Sequence, residues 1–248
     1  MKCPGQDSRF WKPEDVFEIQ CLTCGRNIEF FKDDVKRRCP CGQEIVNPRL
    51  DFGCAQWCEY GEQCIGVIPP ELEDLKKELE RNRFKEKFSQ AMKRYFEKDV
   101  NRIQHAQRVA RFAEELLKRE GGNPLVVLGS AYLADVGIYE AEKRHGNSSP
   151  EFQEIEGPPI VQDILRRIGL KVEVIEEICD IIGHHSHPRV EETLNFQLLY
   201  ESEWLVKIEE NGIVKDWKKL EEVVKRVFRT PTGRKLVEDL YLNPLTRG

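Results

Sequence analysis

The spacing of apolar residues after position 69 indicates helices rather than strands. Between Pro69 and Asp99, 17 of 31 residues are Asp, Glu, Lys or Arg. The apolar residues among them nevertheless recur at three-, four- and five-residue steps, so they share one face of a helix. The pattern predicts a charged connector helix over 69–99 that docks this apolar face on a neighbour: Leu72, Leu75, Leu79, Phe84, Phe88, Met92 and Phe96.

Residues 100–248 continue with a helical period, and short segments containing Gly, Pro and Asn interrupt it. The segments carry their apolar residues three and four positions apart, as amphipathic helices do. No alternating series predicts strands outside residues 1–68. The sequence therefore predicts a mainly α protein, an all-helical bundle with helices at Ile103–Arg119, Leu125–Val136, Pro159–Ile168, Val172–Ile182, Thr193–Glu209, Trp217–Phe228 and Thr232–Tyr241.

Residues 1–68 differ from the rest of the chain in having short apolar runs between Cys-Gly and Cys-Pro turns. This segment is too small and too polar to bury much core, so bound metal would have to supply much of its folding free energy. Pro69 and Pro70 end it. We therefore predict three parts: a Cys-rich metal-binding module at 1–68, the connector helix at 69–99 and a helical domain at 100–248.

Composition narrows the class of protein. Hydrophobic residues make up 40% and charged residues 33% of the chain, and the longest near-apolar run, Pro124 to Ala134, is too short to span a bilayer. The start of the sequence lacks the apolar core of a secretory signal, so a cytoplasmic protein without a membrane partner is expected. The formal net charge of −5 gives no overall positive field, which makes nucleic acid a weakly supported partner.

Cysteine placement predicts metal binding in the first 64 residues, which hold eight of the nine cysteines. In a reducing cytoplasm such crowding favours metal ligation over disulfides. Cys21 and Cys24 form one pair and Cys39 and Cys41 another, and a glycine follows each pair and permits a tight turn. Four thiolates complete a tetrahedral shell, so these pairs predict a zinc ribbon with structural zinc; unliganded thiols are the alternative.

A second set of four cysteines has uneven spacing, and it consists of Cys3, Cys54, Cys58 and Cys64. Trp57 and Tyr60 are available to shield a bound group. Four thiolates on such spacing suit a [4Fe-4S] cluster, and a second zinc ion is chemically feasible as well. The sequence leaves three alternatives here: an iron–sulfur cluster, zinc or no metal.

The helical part contains a group of residues with metal-ligand chemistry. His105 lies early on a predicted helix, Asp135 ends an apolar helix, and His184 and His185 follow a third helix. Imidazole and carboxylate together suit a divalent metal ion. Taken singly, each residue also has a structural interpretation, such as a helix-terminal histidine or a turn-forming aspartate.

From about Asp99 to Glu210 the chain resembles the HD-domain superfamily of metal-dependent phosphohydrolases. The family pattern is a His, a later His-Asp doublet, often a His pair, and a final Asp. The resemblance implies a divalent transition metal held by the following matches: His105 as the first element, Asp135 as the doublet Asp, His184 and His185 as the pair, Glu203 as the final carboxylate, and Glu156 near a further ligand position of dinuclear members.

Two positions depart from that pattern. An alanine, Ala134, native or engineered, stands where the doublet His is expected, and Glu203 stands where Asp is usual. The loss of one imidazole and the longer Glu side chain should weaken metal binding.

The resemblance implies a phosphohydrolase acting on a nucleotide or another phosphorylated small molecule, with Asp135 and His105 at the catalytic centre. Ala134 is expected to impair its activity. An alternative from a different class is a non-catalytic ligand-binding or redox- or metal-sensing protein built on a degenerate HD domain. A third is a nucleic-acid-processing factor whose ribbon grips the polymer.

Overall fold

Helices dominate the computed structural model, which describes residues 12–21, 23–32, 34, 36–47 and 70–242. The predicted mainly α class is confirmed. The chain divides into two compact units, Met1–Lys77 and Glu78–Gly248. Within the described ranges no helix is both long and apolar enough to cross a membrane.

The described part of the first unit contains two antiparallel hairpins. Strands β1 (Val16–Gln20) and β2 (Asn27–Phe31) pair in one, and β3 (Lys36–Arg38) and β4 (Glu44–Val46) pair in the other. A short 3₁₀ turn, Pro13–Asp15, precedes β1. Strands of three to five residues bury little surface, so the hairpins need other sources of stability.

A small apolar contact and one buried amide stabilise these hairpins. Phe30 is fully buried and stacks on Phe17 across the first hairpin, with ring centroids 6.1 Å apart. The Asn47 side chain, also buried, donates hydrogen bonds to the backbone carbonyls of Phe31 and Asp34. The second hairpin is thereby tied to the end of the first.

The second unit is a bundle of helices around one apolar core. Helix α1 begins in the first unit and most of it lies in the second. The helices are α1 (Pro70–Phe96), α2 (Val100–Glu120), α3 (Pro124–Leu133), α4 (Ile138–His145), α5 (Pro150–Ile168), α6 (Val172–Ile182), α7 (Leu194–Glu210), α8 (Trp217–Val227) and α9 (Pro231–Val237).

The apolar stripe predicted on the connector is buried where its side chains are described. Phe84, Phe88, Met92 and Phe96 belong to the core, and they repeat every four residues along α1. Burial of four large side chains removes enough apolar surface to dock this charged helix firmly. The side chains of the other stripe members, Leu72, Leu75 and Leu79, are outside the described residues.

Several helices differ from the prediction. The segment predicted as Leu125–Val136 ends its α-helix at Leu133 and continues as a 3₁₀ turn, Ala134–Gly137. Helix α4 was not predicted at all, and α9 is followed by a π turn, Glu238–Leu242. Local hydrogen bonding therefore changes at the segment that contains Asp135.

Helix α5 begins at Pro150, nine residues before the predicted start at Pro159. Pro158 and Pro159 each remove one backbone hydrogen bond, which is why the sequence suggests a helix boundary there. The helix continues because residues on both sides of the proline pair, Glu156 and Val161 among them, share one buried face. Tertiary packing here outweighs the local preference.

Candidate metal centres

The ribbon holds four sulfur atoms in one group. Cys21 follows β1 and Cys39 follows β3, and each starts a tight turn that brings a second cysteine back toward it. The turns are completed by Gly25 and Gly42, whose φ angles of +73° and +95° lie in the left-handed region that favours glycine. The four thiols, which are those of Cys21, Cys24, Cys39 and Cys41, are therefore placed by two similar knuckles.

The distances in this group match a tetrahedral metal shell. The Sγ atoms of Cys21 and Cys41 are 3.7 Å apart, and those of Cys24 and Cys39 are 3.4 Å apart. A zinc ion with bonds of about 2.3 Å would hold its sulfur ligands roughly 3.8 Å apart. All four sulfurs lie within 4.8 Å of one another, so the cluster is placed to hold a metal ion.

Two of these thiols, those of Cys21 and Cys39, have pKa values that are shifted in opposite directions. A hydrogen bond from the backbone N–H of Cys24 lowers the pKa of Cys21 to about 6. The backbone N–H of Cys41 acts in the same direction on Cys39, but burial and the neighbouring thiols outweigh it and raise the pKa of Cys39 to about 12. Four adjacent thiolates repel one another, and a bound cation would relieve that repulsion. Cys3, Cys54, Cys58 and Cys64 lie outside the described residues.

The second unit has an open cleft of about 740 Å³ at one end of the bundle. Its walls come from the start of α2, the Ala134–Gly137 turn, the loop after α6 and the end of α7. Four of the lining residues are central to the site: His105, Asp135, His185 and Lys207.

His105 faces Asp135 across the cleft. Its Nε2 lies 3.5 Å from the Asp135 Oδ2, and its Nδ1 lies 2.9 Å from the Glu210 Oε2 on α7. The Nδ1 contact is the shorter of the two, and it orients the ring so that Nε2 faces the Asp135 carboxylate. Metal-bound histidines commonly have this arrangement, with the distal nitrogen held by a carboxylate or carbonyl.

The position of Asp135 depends on very close packing of its turn. A Cβ added to Gly137 would meet the Gln153 carbonyl oxygen at 2.4 Å and the Gly157 nitrogen at 2.9 Å, so only glycine fits against α5. The Tyr95 hydroxyl on α1 donates a 2.7 Å hydrogen bond to the Val136 carbonyl. Two helices therefore hold the turn that presents the carboxylate.

His185 and Glu203 form a second pair with the same character. The His185 Nδ1 donates to the Ile182 carbonyl at 2.8 Å, and its Nε2 points at the Glu203 Oε1, 3.8 Å away. Both side chains are 3% exposed. The Glu203 Oε1 is buried and accepts no hydrogen bond from the described residues. The His185 Nε2 and the Glu203 Oε1 thus face each other at a distance too long for a hydrogen bond.

Lys207 supplies a positive charge to this pair. Its Nζ lies 2.6 Å from the Glu203 Oε2, one helical turn along α7. Burial raises the pKa of Glu203, but the neighbouring positive charge, that of Lys207 first, outweighs burial and lowers it. Burial lowers the pKa of Lys207, but Glu203, with help from Asp135, raises it. The pair is therefore ionised at neutral pH.

The loop that carries His185 is fastened to α5. The Glu154 carboxylate accepts hydrogen bonds from the backbone N–H groups of Ser186 and His187, at 2.7 and 3.2 Å. It also lies 2.8 Å from the His187 Nδ1. One acidic side chain therefore satisfies three donors of the loop.

Three of the predicted ligands do not line the cleft: Glu203 is buried beside His185, and the other two have partners elsewhere. His184 contacts the Asp180 carbonyl and the Glu192 carboxylate, and its ring stacks on Phe196. Glu156 pairs with His145 and with Arg144. Consecutive residues of a turn point in different directions, so His184 and His185 do not serve one site here.

The cleft also contains residues that the sequence did not single out as ligands or ligand partners. Glu210 holds His105, and Arg108 is held in turn by Glu209 and Glu210. Lys207 follows Glu203 by four residues, a spacing that predicts a helical ion pair. That spacing is the sequence signal for an ion pair between Lys207 and Glu203, but the same spacing is common on exposed helix faces.

The donors of the cleft suit a divalent ion, although they form two pairs rather than one compact group. Among the described residues, only the four cysteines of the ribbon form a group of three or more Cys, His, Asp or Glu ligand atoms within 4.8 Å of one another. Ala134 is buried beside Asp135 and offers no ligand atom. The imidazole and carboxylate pairs fit the chemistry of a metal site. For both pairs to bind one ion, their side chains would have to shift toward each other.

Comparisons with known proteins give one likeness to report. No family model matches the chain, and no curated protein matches it. The chain is similar to the crystal structure of a predicted HD superfamily hydrolase from an uncultured Thermotogales bacterium. The two are 23% identical, with a TM-score of 0.48, over 68% of this chain and 91% of that one.

Proposed function

We propose that the cleft is a weakened divalent-metal site of a phosphohydrolase that acts on a nucleotide or another phosphorylated small molecule. One observation carries the proposal: two histidines place Nδ1 within hydrogen-bond distance of an oxygen acceptor and direct Nε2 at carboxylate oxygens 3.5 and 3.8 Å away. Ligands of one ion with bonds of about 2.0–2.2 Å are spaced at roughly such distances. The proposed ligands are His105, Asp135, His185 and Glu203.

A divalent ion in such a site polarises a phosphoryl oxygen and lowers the pKa of a bound water. The residues of this chain would do the rest. Asp135 and His105 stand at the centre, and Glu210 orients the His105 ring through its contact with Nδ1. Arg102 and Arg108 line the cleft, where their guanidinium groups could bind a phosphate by paired hydrogen bonds.

The size of the cleft supports a small-molecule substrate. A volume of about 740 Å³ lies within the range of pockets for small ligands, roughly 300–1,000 Å³. Asp99, Asp135 and Glu210 also line the cleft and offset much of its positive charge. This mixed lining suits a compact phosphorylated metabolite better than a long nucleic acid backbone.

A second candidate function is favoured by a different observation. Ala134 supplies no ligand, and the Lys207 ammonium already neutralises Glu203. A non-catalytic domain that binds a phosphorylated ligand in the same cleft would have these features. The two candidates differ in whether bound ligand is hydrolysed.

For the ribbon we propose structural zinc at Cys21, Cys24, Cys39 and Cys41. The tetrahedral spacing of the sulfurs supports it. The second cysteine set remains a prediction, with the iron–sulfur cluster preferred to a second zinc. The three-part division at 68 and 99 likewise remains a prediction.

Metal content and phosphate release together test the proposal for the cleft. The wild-type chain and Asp135→Asn would be purified side by side from medium supplemented with Mn²⁺, Co²⁺ or Zn²⁺, and metal per chain would be measured by elemental analysis. Because metal on the cysteines contributes equally to both proteins, the difference reports the cleft. Phosphate release would then be measured on a panel of nucleotides and sugar phosphates.

We expect Asp135→Asn to lose one bound ion and nearly all phosphate release. Asp163→Asn is the control, because Asp163 is 61% exposed and does not line the cleft. Retention of both properties in Asp135→Asn would overturn the proposed site. Ligand binding without phosphate release in the wild type would favour the non-catalytic candidate.

A further inference from the structure

Lys207 binds one oxygen of Glu203 and leaves the other open. The ammonium contacts Oε2 at 2.6 Å, while Oε1 faces the His185 Nε2 and accepts no hydrogen bond from the described residues. The carboxylate is 3% exposed, so its charge would be costly without a cation beside it. Lys207 therefore stabilises Glu203 in a protein that holds no metal in the cleft.

The lysine also alters the charge that an incoming ion meets. Asp135 and Glu203 contribute two negative charges, and Lys207 offsets one of them. The lysine lines the same cleft as Asp135. The other Asp, Glu and Arg side chains that line the cleft are paired with each other, Arg108 with Glu210 and Arg102 with Asp99. A divalent ion placed between the two histidine–carboxylate pairs would therefore be repelled by a fixed positive neighbour.

We infer that Lys207 is a built-in counter-cation that competes with divalent metal ions for Glu203 and thereby sets which ions load the cleft. The inference rests on the proposed metal site. An ion must either displace the ammonium from Glu203 or bind only the Oε1 atom of that carboxylate. Ions that bind imidazole strongly, such as Co²⁺, Ni²⁺ and Zn²⁺, can compete in this way, whereas Mg²⁺ prefers oxygen ligands and cannot.

The chain offers a matched control for this lysine. Glu221 and Lys225 on α8 have the same four-residue spacing and a similar contact, 2.8 Å, but their side chains are 53% and 72% exposed. Water already solvates both charges there, so the pair contributes little to stability. Loss of the Lys225 charge should leave metal binding unchanged.

The experiment compares the wild type with Lys207→Met, Lys207→Gln, Glu203→Gln/Lys207→Met and Lys225→Met. Each full-length protein would first be stripped of loosely held metal, and Mn²⁺, Zn²⁺ and Mg²⁺ would then be titrated by calorimetry and by the shift in melting temperature. These readouts do not depend on activity. The cysteine site is common to all variants and cancels in the comparison.

We expect Lys207→Met to melt at a lower temperature without metal, because Glu203 is left as a buried unpaired charge. Added Mn²⁺ should restore the melting temperature, and Lys207→Met should bind Mn²⁺ with an affinity at least about tenfold above that of the wild type. The selection against Mg²⁺ should weaken. The double variant, which removes both charges, should show no gain in affinity, and Lys207→Gln keeps the test available should Lys207→Met fail to fold.

The outcomes separate the inference from the proposed function. Equal metal affinity in the wild type, Lys207→Met and Lys207→Gln, with phosphate release intact, would overturn the role of Lys207 alone. Metal binding only after removal of the lysine would support the inference and contradict a metal enzyme in the wild-type chain. Absence of metal from the cleft in every variant would overturn both.

Discussion

The ribbon and the cleft both bring metal-binding side chains together, but they differ in how complete the group is. Four thiols in the ribbon lie within 4.8 Å of one another, and two similar knuckles place them. In the cleft, two histidine–carboxylate pairs stand apart and a lysine neutralises one carboxylate. A segment with little core depends on its metal for folding, whereas a large helical core keeps its cleft in place without one.

The largest expected effect comes from breaking the ribbon. Replacement of Cys21 and Cys24 by Ser should unfold the ribbon, because structural zinc contributes an apparent binding free energy of about 10–16 kcal/mol in small domains. Limited proteolysis with mass spectrometry would show rapid cleavage within residues 12–47 and continued protection of the helical core. Unchanged protease resistance of the ribbon would contradict its dependence on metal.

Ala134→His should make the cleft more like the ribbon by adding a ligand. The new imidazole would lie beside Asp135, and we expect metal occupancy and phosphate release to rise by more than roughly tenfold. Elemental analysis and a phosphate assay would measure both. Ala134→Leu is the control, since it adds volume without a ligand atom.

If Ala134→His binds metal without gaining phosphate release from any nucleotide, the non-catalytic candidate is favoured. If it gains neither, the inherited metal site is wrong and His105 and Asp135 have structural roles only.

Gly137→Ala should disturb the cleft through its support. The added Cβ would overlap the backbone of α5, where neither the carbonyl nor the amide can move aside easily. We expect a loss of about 2 kcal/mol in unfolding free energy, measured by urea denaturation, together with weaker metal binding.

Gly129→Ala provides the comparison for that variant. Its Cβ would meet the end of the Ile178 side chain at 2.7 Å, and a side chain can shift. It should destabilise the fold less and leave metal affinity unchanged. Equal metal affinity in Gly137→Ala and the wild type would show that the turn does not position Asp135 for an ion.

The smallest expected effect concerns the start of α2, the helix that carries His105. Asp99 caps this helix, and a hydrogen bond from the Arg102 backbone N–H, aided by Tyr139 and the Arg102 side chain, lowers the pKa of Asp99. Because the folded pKa is depressed, the stability from ionised Asp99 is present above its unfolded pKa and is lost as the pH falls through the folded value.

Asp99→Asn should therefore flatten the acid side of the stability profile slightly. Asparagine can still cap the helix, so stability near pH 7 should change little. Urea midpoints measured between pH 6 and pH 3 would check this. An acid limb identical to that of the wild type would assign the pH dependence to other carboxylates.

The helical class and most helix positions followed from periodicity, since four-residue repeats such as Phe84, Phe88 and Met92 leave little choice of face. The sequence did not predict α4 or the first part of α5. Gly157 and the two prolines after it suggest a break locally, and only packing of the same helix face on both sides overrides that signal. Such packing depends on contacts distant in sequence.

For the candidate site, order along the chain identified residues but not their directions. His105 and Asp135 meet, as their pattern suggested, whereas His184 turns to Glu192 and leaves the cleft to His185. The direction of each ring on a turn depends on partners that a sequence pattern does not specify. The sequence does not single out Lys207, because a four-residue Glu–Lys spacing does not distinguish a buried ion pair from an exposed one.

The attachments of α5 bear on how an ion could enter and leave. Gly157 contacts the turn that carries Asp135, and Glu154 holds the loop that carries His185. Three residues separate these attachments, about 4.5 Å along the helix axis. The turn that carries Asp135 and the loop that carries His185 are therefore both attached to α5, and they keep their spacing when this helix moves. Exchange of an ion would then proceed by rotation of side chains on a fixed backbone, with no opening of the bundle.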